Sequence, residues 1–177
     1  MSPDEPASTT AERDRRRLLL AFNLSLAFVA LLVVVFALQP RLPVPAMAVS
    51  PRDWTALLGL LTAPLVHGSV AHLAANATAL LILGTLAGSV YPRATLRAIP
   101  LLWICSGLGA WLLGEGGTRH LGASGVTHGL MFLVTTLGLL RRDRPSIAAG
   151  MIAMLFYGGS VLTVLPHGDG ISWQSHL

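Results

Sequence analysis

The feature that most restricts this chain is the run over residues 18–38, predominantly apolar and without a charge. A helix crossing a hydrocarbon core of about 30 Å needs roughly 20 such residues. Further apolar blocks follow at 67–90, 96–113, 124–140 and 147–165, joined by short connections rich in Arg, Pro and Gly. A sixth block opens at Ile171 and stops with the chain at Leu177. Only 11% of the 177 residues are charged, where a soluble domain carries about a quarter. Mean hydropathy is +0.67. In hydrocarbon a backbone has to satisfy its own hydrogen bonds, which helices do within one segment. The pattern predicts an all-α polytopic membrane protein.

Residues 1–17 are polar and charged, and are expected to form a mobile cytoplasmic tail. Residues 39–54 contain Pro40, Pro43, Pro45 and Pro51, which rules out one uninterrupted helix. An extended loop or a set of short interfacial pieces is expected there, with Trp54 suited to the headgroup region. Orientation follows the arginines. With the N-terminus inside, Arg13, Arg15, Arg16, Arg17, Arg93, Arg97, Arg141, Arg142 and Arg144 are cytoplasmic. Arg41, Arg52 and Arg119 fall outside, so the positive-inside rule favours a cytoplasmic N-terminus. The charge of +4 contains no Lys and forms no stripe interleaved with aromatics, so nucleic acid is not an expected partner. A cleaved signal peptide ending at Ala46-Met47-Ala48 is a competing reading, but its apolar run exceeds the usual 7–15 residues of an h-region. Cys105, the one cysteine, reads as a small buried hydrophobe.

Polar groups inside spans are costly and mark function. Three clusters qualify. His67, His72 and Asn76 open the second block; His72 and Asn76, four apart, share a helical face. Polar glue between helices explains them equally well. Gly122-Ala123-Ser124-Gly125 heads the fourth block. It reads either as a close-packing motif or as a serine at a helix N-terminus, beside N–H groups able to hold an oxyanion. The third cluster is Ser172-Trp173-Gln174-Ser175-His176. In the topology above, His176 enters from the face that carries Ser124, His67 and His72.

In this order the clusters resemble the rhomboid family: H-x4-H-x3-N, then G-x-S-G, then a His in the last core span. The resemblance covers residues 18–177 and implies a rhomboid-like six-helix bundle whose sixth helix is truncated at the chain end. It implies an intramembrane serine endopeptidase of a bacterial plasma (inner) membrane, working by a Ser124–His176 dyad. His72, Asn76 and the Ser124 N–H would form the oxyanion hole, with Gly122, Gly125, His67 and His128 supporting it. No metal or other cofactor is implied. The partners would be the lipid bilayer and transmembrane substrates with helix-destabilised segments, because a paired helix must unwind before cleavage.

Three positions depart from the family pattern. His128 stands where a Tyr is frequent, and is expected to tolerate exchange to Tyr. Arg52-Asp53-Trp54 replaces a Trp-Arg pair. The block from Ile171 spans about a third of a crossing, as expected of a fragment of a longer chain. A catalytically inactive, client-binding rhomboid-like protein is the competing function. A membrane zinc enzyme is disfavoured because no H-E-x-x-H occurs. A transporter is disfavoured because no repeat halves are visible.

Overall fold

Apolar runs deprived of water close their hydrogen bonds as helices. The computed structural model describes residues 9–159, which contain seven α-helices and no strand beyond one isolated bridge. α1 spans Thr10–Leu38. Its start is a capping box: Thr9 Oγ1 accepts from the Glu12 N–H at 3.2 Å, and the Glu12 carboxylate accepts from the Thr9 N–H at 2.8 Å. Residues 10–17, expected in a mobile tail, therefore form the opening turns of this helix. The Thr-x-x-Glu signal outweighs their charge.

The segment between α1 and the next long helix folds into short pieces. They are 3-10 turns at Gln39–Arg41, Trp54–Ala56 and Ala63–Leu65, with α2 at Val44–Met47 and α3 at Gly59–Thr62. Pro40, Pro45 and Pro64 each sit at the start of one of them, where a missing N–H costs nothing. The pieces are tied to each other and to α5 (Pro92–Leu113). Thr62 Oγ1 donates to Met47 O at 2.8 Å, Trp103 Nε1 to Leu61 O at 3.1 Å, and Trp111 Nε1 to Asp53 O at 3.2 Å. Trp54 is 73% exposed and meets Trp111 edge-on at 4.6 Å.

α4 (Val70–Val90) is the central helix, touching α1, α5, α6 (Ser124–Arg141) and α7 (Arg144–Tyr157). Its contact with α1 needs small residues. A Cβ at Gly84 would lie 2.5 Å from Ser25 Oγ, and one at Gly88 would lie 2.9 Å from Ala21 Cβ. This Gly-x3-Gly spacing lets two membrane helices approach backbone to backbone. Leu32, Leu80, Leu83, Leu130, Met131 and Val134 fill the core between the helices. The outside is apolar as well: Leu96, Leu139 and Leu155 are exposed. α1, α4 and α5 are each long and apolar enough to cross a membrane. The end of the expected fifth span and all of the truncated sixth fall outside the described residues.

Candidate active site

Ser124 is the first residue of α6. The turn before it is held from below by the short pieces. Val49 and His120 exchange two backbone hydrogen bonds of 2.9 Å, and the Gly122 N–H donates to Ala63 O at 2.9 Å. Gly122 has φ +106°, a conformation that favours glycine. Space demands glycine too. A Cβ there would lie 2.5 Å from both Cε1 and Nε2 of His72, and 3.3 Å from Asn76 Nδ2. The His72 ring and the Asn76 amide, one turn apart on α4, thus press on the backbone two residues ahead of Ser124.

Pairing within α6 begins with the Thr127 N–H donating to Ala123 O at 3.0 Å, so the N–H groups of the first turn lie outside the helical ladder. The Ser124 carbonyl accepts from Thr127 Oγ1 and from His128 Nδ1, both at 2.8 Å. A carbonyl only accepts, so the His128 proton sits on Nδ1. His128 is thereby tied to the backbone of the serine itself.

His67 is 1% exposed. Its ring meets the His72 ring edge-on at 5.2 Å, which makes it a wall for His72. The backbone of His67 is clamped by the side chain of Gln39. Gln39 Nε2 donates to His67 O at 2.8 Å, and Gln39 Oε1 accepts from the His67 N–H at 2.7 Å. Ser69 Oγ then caps α4 by accepting from the His72 N–H at 3.1 Å.

On the α5 side, a cavity of about 20 Å³ is lined by Ser124, Gly125, Gly107, Ala110 and His120, room for about one water molecule. Burial lowers the His120 pKa below its ordinary 6.5. Thr118 Oγ1 donates to Glu115 O at 2.6 Å, so it accepts from His120 Nε2 at 3.0 Å and places the ring proton there.

The structure therefore gathers His67, His72, Asn76 and Gly122 at the start of α6, with Ser124, Gly125 and His128 in its first turns. His176 falls outside the described residues. Two contributors escaped the sequence reading. Gln39 bonds a residue 28 positions away, and no local pattern announces such a pair. His120 lies four residues before Ser124, so its proximity was a usable signal.

A helical bundle with an apolar exterior and a polar cluster buried at one end is a polytopic membrane protein. Residues 52–177 match the rhomboid domain, and the chain belongs to the rhomboid family. It is similar to uncharacterized proteins of Mycobacterium bovis and Mycobacterium tuberculosis. Each is 35% identical over 181 residues, covering 96% of this chain and 75% of the relative. An uncharacterized protein of Mycobacterium leprae is 34% identical over 129 residues, covering 68% of this chain and 51% of the relative. No solved structure matches the chain. By family it is an intramembrane protease of the rhomboid type or a homologue of one.

Proposed function

We propose that the chain is an intramembrane serine endopeptidase cleaving transmembrane substrates whose helices are destabilised near the outer membrane face. Ser124 Oγ attacks the substrate carbonyl carbon while His176 accepts the hydroxyl proton and passes it to the leaving amine. Water, deprotonated by His176, then hydrolyses the acyl-enzyme and returns the proton to Ser124. His72, Asn76 and the first N–H groups of α6 hold the oxyanion in both steps. The position of His176 in this scheme rests on motif order. The arginine distribution supports a cytoplasmic N-terminus, and the mycobacterial relatives support a bacterial plasma membrane.

One observation carries the reading. Asn76 is 4% exposed and its Nδ2 has no hydrogen-bond partner among the described residues. A buried donor left unsatisfied costs about 1–3 kcal/mol. This one lies beside the Gly122 turn, where a substrate oxyanion would supply the missing acceptor.

The test is cleavage, in liposomes, of a reporter with a helix-destabilised transmembrane segment. The unaltered chain is expected to cut it, and folded Ser124→Ala and His176→Ala variants are expected to leave it whole. A folded parent that binds the reporter without cutting it would instead establish the inactive client-binding protein.

A further inference from the structure

Two features that the proteolytic reading does not use meet at the end of the bundle opposite Ser124. The first is an open apolar groove of about 330 Å³ between α1 and α5, floored by α4. Phe28 lines it from α1, Gly84 from α4, Leu96 and Trp103 from α5, and Val126 from the first turn of α6, so it runs along most of the bundle's depth. The second is a cavity of about 460 Å³ lined by Arg17, Arg93, Arg97, Arg141 and Tyr91. Arg17 and Pro92 line both, so the apolar groove runs directly into the basic cavity.

No acidic side chain among the described residues lines the basic cavity. Asp14 reaches Arg17 at 3.9 Å, but both are well exposed, and such a pair is weak. Asp143 acts electrostatically on Arg141 from outside the cavity. The Arg141 guanidinium lies 5.5 Å from the centroid of the Tyr91 ring. Tyr91 itself is 3% exposed, and its hydroxyl has no hydrogen-bond partner among the described residues. α5 starts here at Pro92 without a side-chain cap, and its ladder begins only with the Thr95 N–H donating to Tyr91 O at 2.9 Å. The positive end of that helix therefore adds to four arginines.

We propose that this end of the bundle is a binding site for one anionic phospholipid. Its phosphate sits among Arg17, Arg93, Arg97 and Arg141, and an acyl chain lies in the α1–α5 groove. Guanidinium groups recognise phosphate by paired hydrogen bonds. A free anion would account for the basic cavity and leave the groove unexplained, whereas a phospholipid accounts for both. Bound there, the lipid bridges α1 to the α4–α5 turn and to α6.

The experiment uses the full chain in an uncharged detergent, with bound lipid read by native mass spectrometry and stability by thermal unfolding. Phosphatidylglycerol is expected to stay bound and to raise Tm. Phosphatidylcholine of the same chains and inorganic phosphate, at equal concentration, are not. An Arg93→Gln/Arg97→Gln double variant changes only exposed side chains, and its unfolding without lipid reports that it folds. It is expected to weaken phosphatidylglycerol binding roughly tenfold or more, from the usual attraction per basic residue. An Arg15→Gln/Arg16→Gln variant alters arginines that line neither the groove nor the basic cavity and is expected to bind as the parent does. Equal weakening by both double variants would overturn the site in favour of diffuse charge. Phosphatidylcholine matching phosphatidylglycerol would remove the role of the arginines, and inorganic phosphate matching it would remove that of the groove.

Discussion

A single methyl group at Gly122 tests the proposed chemistry most sharply. Gly122→Ala places a Cβ 2.5 Å from His72 Cε1 and Nε2 and 3.3 Å from Asn76 Nδ2. Carbon atoms rest at about 3.5–4.0 Å, so the ring has to retreat by about 1 Å. A donor moved that far no longer bonds the oxyanion, and losing one such donor costs on the order of 10²–10³ in turnover. The alanine also adopts a φ of +106°, a strain of about 1–3 kcal/mol. Gly117 separates the two effects. Its φ is +83° and a Cβ there would meet nothing within 4 Å. Gly117→Ala therefore carries backbone strain without the clash. Reporter cleavage in liposomes, with kcat and KM resolved, and thermal unfolding would be measured for both. Gly122→Ala is expected to lose at least about a hundredfold in kcat with KM little changed. Gly117→Ala is expected to keep its kcat while losing comparable stability. A folded Gly122→Ala within about threefold of the parent would refute the placement of His72 and Asn76 at the reacting oxygen.

Asn76→Leu removes an unsatisfied buried donor, so Tm is expected to hold or rise while kcat drops about 10²–10³-fold; a fall in both would make Asn76 structural. Gln39→Leu strips two hydrogen bonds from the His67 backbone. A loss of about 1–3 kcal/mol is expected in denaturant unfolding, and an unchanged midpoint would mean that water replaces the clamp. His128→Tyr is expected to cleave the reporter normally despite losing the bond to Ser124 O; an inactive, folded variant would show that the imidazole has a specific part. His120 has its pKa lowered by burial, so the unfolded chain binds its proton more tightly. Its contribution to stability is flat above the ordinary value of 6.5 and is lost as pH falls below it. His120→Gln is expected to shallow the decline of Tm with acid, and an identical decline would exonerate this ring.

Fold class and the order of the polar clusters follow from the pattern of residues along the chain. Long uncharged runs have one stable outcome in hydrocarbon, because every backbone N–H and C=O must be paired within the segment. The four prolines of residues 39–54 likewise forced a broken path, and the short pieces Trp54–Ala56, Gly59–Thr62 and Ala63–Leu65 continue it towards Ser69. At the Thr9–Glu12 capping box, residues three apart in the sequence suffice to fix where α1 begins. The tertiary structure decided what distance decides. Gln39 meets His67, Val49 meets His120, and His72 meets Gly122 only because α4, the short pieces and the turn before α6 pack together. The same holds for Arg17, Arg93, Arg97 and Arg141, which the sequence scatters over the N-terminal segment and two connections and the bundle collects around one cavity. Hydrogen bonds and phosphate-sized cavities depend on separations of a few ångströms between segments, and no periodicity along the chain records them.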